Sequence, residues 1–241
     1  LNSKIYALRR LIMQLPPRLS AIAGFVPAGR WVVDIGTDHA LLPVYLIKNS
    51  KCPGAVAGDV REGPYRMAKK SVSGAGLTDR IGIRLGDGLT IVRPGEVEVA
   101  VIAGMGGGTI RDIIRNSLGT ASVLERLVLQ PMVDGGALRI WLVKNGWRLA
   151  DETLVEDGGT IYEIIAAERG REEETDPLLL EIGPRLVEKK DPLLKKHLTN
   201  QTRALKRIIY NLARSTSPEA QHKKTELLAR LGEMKKVLAW L

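Results

Sequence analysis

The chain has 241 residues, 44% of them hydrophobic, with 36 Lys and Arg against 27 Asp and Glu for a formal net charge of +9. That length holds one ordinary α/β domain and an appendage, and a single cysteine, Cys52, excludes both an internal disulfide and a thiolate-paired zinc site. No apolar run reaches bilayer length, and Leu8 to Leu15 is broken by Arg9, Arg10 and Gln14 with no cleavage pattern after it. Neither a membrane span nor a signal peptide is therefore expected, and the cytoplasm is the expected compartment.

Ile5, Leu8, Leu11 and Ile12 share one helical face over residues 4–14. Pro16 and Pro17 interrupt that pattern, and Arg18 to Phe25 is expected to resume as a second short helix. Strands are predicted at 31–34, 55–59, 81–85, 97–103 and 126–130, alternating with helices at about 40–49, 63–74, 108–117 and 135–145. Such alternation implies right-handed βαβ crossovers and a parallel sheet. Two more strands, near 147–155 and 160–167, flank Glu156, Asp157, Gly158 and Gly159, a turn signal that predicts an antiparallel hairpin at the sheet's edge. The predicted fold is thus α/β, a Rossmann-like, mostly parallel sheet.

Residues 170–177 read as a linker, and the pattern beyond them is entirely helical. Leu194, Leu198, Gln201, Leu205, Ile208 and Leu212 alternate spacings of four and three, as do Leu227, Leu231, Met234, Leu238 and Leu241. Those are heptad seams, and Pro218 restarts the helix between them. An antiparallel helical hairpin resembling a small coiled coil is predicted. The boundaries expected are 1–170 for a cofactor-binding catalytic domain, with 1–28 as its helical start, and 171–241 for the hairpin.

Charge changes within the helical region. Residues 1–188 carry 23 basic and 23 acidic side chains, whereas 189–241 carry 13 and 4, so the whole +9 lies in the last 53 residues. A basic stripe on one element is the electrostatic footprint of phosphate-backbone binding, and it is also how a solvated helix face looks. Arg18, Lys195, Lys196, Arg203, Lys206, Arg207, Lys223 and Lys224 are the candidate RNA contacts.

The chemistry concentrates at strand ends, where ligands bind in open α/β sheets. Asp34, Ile35 and Gly36 close the first strand in a tight turn, followed by Thr37, Asp38, His39 and Ala40. A dinucleotide turn needs a second glycine so that a pyrophosphate can approach the backbone. Asp38 stands there instead, and a carboxylate suits a cationic or zwitterionic ligand such as S-adenosylmethionine. Asp38 is expected either to cap the next helix or to contact that ligand. Asp59, about twenty residues on, has the place and chemistry to accept from both ribose hydroxyls. Asp87 and Gly88 follow the third strand, where a carboxylate can accept from an adenine amino group. Ala103, Gly104 and Met105 open a glycine-rich turn that lets a ligand lie against backbone. Gln130 ends the fifth strand at the same crevice. Asp38, His39, Gly104 and Gln130 are the candidate catalytic residues. Asp34, Gly36, Thr37, Asp59, Asp87, Gly88, Ala103, Gly104 and Met105 are the candidate cofactor contacts. No metal is expected.

Taken together, residues 34–43, 102–107 and 127–131, with Gly63, Pro64 and Gly86 to Gly88, resemble the bacterial tRNA adenine-22 N1-methyltransferase family. The resemblance runs from about residue 18 to the end. It implies a class I methyltransferase fold, S-adenosylmethionine as donor, tRNA as partner and N1 of an adenine in the D-arm as acceptor. Two positions depart from the family pattern: Leu41 stands where Tyr is usual, and Met132 where Asn is usual. A monomer is expected. The residues by themselves leave open a small-molecule methyltransferase whose hairpin binds a partner, or a non-catalytic RNA-binding module.

Overall fold

In the computed structural model, which describes residues 14–240, strands and helices alternate through a first unit that ends at Glu173. Its elements are α1 (Pro17–Phe25), β1 (Val32–Ile35), α2 (Leu41–Lys48), β2 (Ala55–Asp59), α3 (Glu62–Gly74), β3 (Ile81–Leu85) and a 3-10 turn (Gly88–Ile91). They continue with β4 (Val99–Met105), α4 (Gly107–Arg115), α5 (Leu118–Ala121), β5 (Arg126–Pro131), α6 (Gly135–Lys144), β6 (Trp147–Asp157) and β7 (Thr160–Arg169). The helix expected over residues 4–14 lies outside the described residues. The 3-10 turn and α5 are additions to the predicted elements.

The seven strands form one sheet in the order β3-β2-β1-β4-β5-β7-β6. The first five are parallel, and β7 runs antiparallel to both β5 and β6. The central strands read as mostly apolar runs because helices cover both faces of a parallel sheet: every residue of β1 and β2 is buried, the acids Asp34 and Asp59 included. Leu46, Ile47, Ala68 and Val72 pack with Val32, Ala55, Ala57, Val99 and Val101 into one core. The β6–β7 hairpin turns through Gly158 and Gly159, whose positive φ values of 56° and 79° suit the turn that matches strand twist.

Beside this hairpin a buried ion cluster ties three elements together. Arg139 of α6 and Glu152 of β6, both fully buried, form an ion pair, and Arg139 also donates to Glu163 of β7 at 2.7 Å. Burial pulls the guanidinium's pKa down, but the two carboxylates outweigh it and hold the group charged.

The second unit begins at Glu174 and contains α7 (Pro177–Ile182), α8 (Pro184–Glu188), α9 (Leu194–Leu212) and α10 (Pro218–Trp240). Asp176 caps α7 by accepting from the amides of Leu178 and Leu179 at 2.7 and 3.2 Å. The helices α9 and α10 pack together across a short connection. In α10 the expected Leu227, Leu231 and Met234 are buried; Leu241 lies outside the described residues. In α9 the seam departs from the expected heptad: Leu194, Leu198 and Leu205 are buried, but Thr202 replaces Gln201, and Ile208 is 46% exposed. A straight helix drifts relative to a strict 3.5-residue repeat, which carries the buried stripe off the predicted line. Gln201 instead hydrogen-bonds the Nε2 of His197, one turn back, at 2.7 Å.

Candidate active site

The strand order reverses between β1 and β4, so their carboxyl ends diverge and leave a crevice. A cleft of about 350 Å³ lies there, within the range of small-molecule sites. The β1 turn forms one wall. Gly36 takes φ of 76°, which a side chain would oppose, and the amides of Gly36 and Thr37 both donate to the Gly58 carbonyl at 2.8 and 3.0 Å. That pins the β1 turn to β2.

The opposite wall is made by the end of β4. The β4–β5 register slips between Ala103 and Met105, a bulge that frees the Gly104 amide from the ladder. The amide donates instead to the Gln130 side-chain oxygen at 3.2 Å. The same oxygen accepts from Arg18 Nη1 at 2.7 Å, and Gln130 Nε2 donates to the Pro131 carbonyl at 2.9 Å and toward the Met132 sulfur at 3.6 Å. An amide offers two acceptor sites and two donors, and all four are committed. Gln130 is fully buried behind Gly104 and does not line the cleft.

Of the sequence-predicted residues, the structure brings Asp34, Gly36, Thr37, Asp38, His39, Ala103 and Gly104 together around the cleft. Arg18, expected from the sequence to contact RNA, is also among the lining residues. Its guanidinium lies 5.5 Å from the centre of the Tyr162 ring and acts on Asp34 through space. Sequence reasoning missed this placement because a lone arginine after two prolines carries no spacing signal; only the contact with Gln130, 112 residues away, reveals it.

Asp34 is 8% exposed, and desolvation pushes its carboxyl up to about 6 against the opposing pull of the Thr37 hydroxyl and Arg18. Asp38 is exposed and lies 3.5 Å from His39 Nε2. It does not cap the next helix: Ala40 stands at the N-cap with φ of 52° and no side-chain cap. The left-handed turn at Ala40 comes between Asp38 and the helix, which removes the predicted capping role.

Asp59 and Asp87 stand at the next two strand ends, outside the lining set. Asp59 is buried, and its Oδ1 accepts from the Arg61 amide at 2.7 Å. Among the described residues its Oδ2 accepts no hydrogen bond. A fixed carboxylate with one open oxygen fits a ribose hydroxyl. Asp87 is exposed and its carbonyl accepts from Thr90 at 3.2 Å, starting the 3-10 turn. Gly88 packs against Ile113 and Met105 against Gly36, each so closely that a Cβ on the glycine would collide. The donor set therefore suits a ligand with a cationic part, a ribose and no phosphate. Among the described residues no cluster of His, Cys, Asp or Glu could hold a metal ion, and no helix is long and apolar enough to cross a membrane.

A parallel sheet with this strand order, an acid at the end of β2 and an acid-lined glycine cleft at the switch point define a class I S-adenosylmethionine-dependent methyltransferase. Comparison with known proteins narrows the class. The chain belongs to the tRNA (adenine(22)-N(1))-methyltransferase family, whose model matches residues 32–236. It is 35% identical over 232 residues to the Bacillus subtilis protein of that name, covering 94% of this chain and 98% of the relative. The crystal structure of the B. subtilis m1A22 tRNA methyltransferase TrmK matches with a TM-score of 0.86 at 33% identity, over 93% of this chain and 99% of that one. A Streptococcus pneumoniae putative tRNA (m1A22) methyltransferase in complex with S-adenosyl-L-methionine matches at 0.82 and 33%, over 92% and 98%.

Proposed function

We propose that this chain transfers the methyl group of S-adenosylmethionine to N1 of adenine 22 in tRNA. The observation that carries this reading is the reach of the family match: from residue 32 to 236 it takes in most of the cleft's lining and nearly all of the basic hairpin. When bound, the cofactor supplies an electrophilic methyl group. Gly36, Thr37, Ala103 and Gly104 offer it backbone, with Met105 packed behind Gly36, and Asp34 and Asp38 offer it negative charge. Asp59 takes the ribose, while Asp87 and Gly88 flank the adenine. Arg18, the one Lys or Arg that lines the cleft among the described residues, suits the cofactor's carboxylate.

Adenine N1 carries a lone pair and no proton, so no residue has to act as a general base. The N1–carbon bond forms as the carbon–sulfur bond breaks, and the electron pair leaves on sulfur. The chain's work is alignment and care of the positive charge gained by the adenine. Asp38 and His39 at the mouth of the cleft are the groups placed to provide it. The carbonyls of Ala103 and Gly104 accept from the exocyclic amine. Gln130 acts as a positioning residue, holding Gly104 from behind. N1 lies on the pairing edge, so a paired adenine must leave the stack first.

Residues 1–170 form the catalytic domain in this reading, and the hairpin of 171–241 grips tRNA phosphates. Lys195, Arg203, Lys206, Arg207 and Lys223 are exposed there, and Lys224 is half-buried; Lys196 completes the set. A tRNA substrate places the reaction in the cytoplasm, and one chain supplies both parts, as a monomer would. The test is incubation with unmodified tRNA transcripts and labelled S-adenosylmethionine, followed by mapping of the methylated base. Label on N1 of adenine 22 is expected. Label on a guanine or pyrimidine, or on free metabolites without RNA, refutes the assignment.

A further inference from the structure

The second unit holds a cavity of its own, about 410 Å³, lined by Lys190, Asp191, Pro192, Leu194, Lys195 and Trp240. The methyl-transfer chemistry uses none of it. Its aromatic wall is unusual: the Trp240 indole is 69% exposed, although tryptophan is the side chain with most to gain from burial. The surroundings are cationic. Lys189, Lys190, Lys195 and Lys196 fall within eight residues that contain one acid, Asp191. Asp191 Oδ1 accepts from the Leu193 amide at 2.9 Å and so helps start α9. Lys236 precedes Trp240 by one helical turn and shares its face. An apolar peptide gains little from a cavity rimmed by ammonium groups. A flat π surface beside lysines instead matches an unstacked nucleotide, whose base needs a stacking partner and whose phosphate needs a cation.

We propose that this cavity binds an unpaired nucleotide of the tRNA, with its base stacked on Trp240 and its phosphate held by Lys190 and Lys195. The inference rests on tRNA being the substrate and adds a base-stacking contact to the purely electrostatic grip of the hairpin.

The test uses the full chain and an unmodified tRNA transcript, with Trp240→Ala, Trp240→Phe and Lys190→Glu. Trp240→Ala is expected to raise Kd and KM for tRNA by about fivefold or more, the lower end of what one base–aromatic stack is worth. Its kcat and its affinity for S-adenosylmethionine stay unchanged. Trp240→Phe restores most of the tRNA affinity, because a phenyl ring still stacks. Lys190→Glu weakens binding and flattens its salt dependence. The proposal is overturned if Trp240→Ala binds tRNA within about twofold of the parent, which would leave the indole to a protein partner. Equal loss of Tm and of tRNA affinity in the Ala and Phe variants also overturns it, by marking Trp240 as packing. Failure of the tRNA reading is told apart without any variant, since the parent chain would then bind no tRNA.

Discussion

Gln130 commits both ends of its amide inside the protein, so replacing it with Met strands the Arg18 guanidinium and the Gly104 amide together. An orphaned buried polar group costs about 1–3 kcal/mol. Gln130→Met should therefore lower stability by that order in denaturant unfolding and weaken S-adenosylmethionine binding, because Gly104 lines the cleft. Unchanged unfolding would refute the clamp. Asp34 gives a pH signature. Its folded pKa of about 6 lies above the 3.8 of an ordinary aspartate, so between those values the folded protein holds a proton that the unfolded chain has released. The contribution of Asp34 to stability is then most favourable below pH 4, falls as pH rises to about 6 and is level above, a penalty of about 3 kcal/mol. Asp34→Asn should remove that slope when unfolding is measured from pH 4 to 7. A cationic cofactor favours the ionised form, so its affinity should rise with pH through about 6 in the parent and stay flat in Asp34→Asn. Asp59→Ala should raise Kd for S-adenosylmethionine about tenfold or more, the order of a charge-assisted hydrogen bond, with KM for tRNA unchanged.

At the scale of elements, two long-range contacts decide how the crevice is held. The start of α4 lies so close to the loop after β5 that a Cβ on Gly107 would sit 2.7 Å from the Asp134 carbonyl. Backbone cannot yield as a side-chain tip can, so Gly107→Ala should cost about 1–3 kcal/mol as a fall in Tm. The Arg139 cluster fastens α6 to the edge hairpin. Arg139→Met leaves Glu152 buried without its cation and should destabilise by about 3–5 kcal/mol, read in denaturant unfolding. A loss below about 1 kcal/mol would mean that Glu152 finds a proton or water at little cost. Neither contact is legible locally: Gly107 is one of three consecutive glycines, and Arg139 sits in a helix whose pattern gives no hint of a buried charge. The α9 seam makes the same point, since a heptad read from sequence assumes a supercoil that only packing can impose.

The whole molecule separates its charge by task. Residues 1–188, which include the acid-lined cleft, are neutral, and residues 189–241 carry all the net positive charge. Reversing Lys206 and Arg207 to Glu should therefore weaken tRNA binding while leaving affinity for S-adenosylmethionine unchanged. The slope of log K against log salt should fall by about one for each phosphate that the variant no longer neutralises. Equal slopes in variant and parent would remove these residues from the interface. Among the described residues neither side chain is tied in an ion pair, so the substitutions disturb little else.

The sequence by itself determined the alternation of strands and helices, the glycine turn after β1, the acids at successive strand ends and the concentration of net positive charge in residues 189–241. All of these are local: periodicity, turn chemistry and composition are properties of neighbouring residues. Only the tertiary structure decided that Gln130 faces inward to hold Gly104, that Arg18 enters the cleft, that Ala40 rather than Asp38 begins α2, and that Trp240 walls a cavity with Lys190. Those outcomes depend on which distant groups meet and which hydrogen bonds they use up, and no spacing along the chain records that.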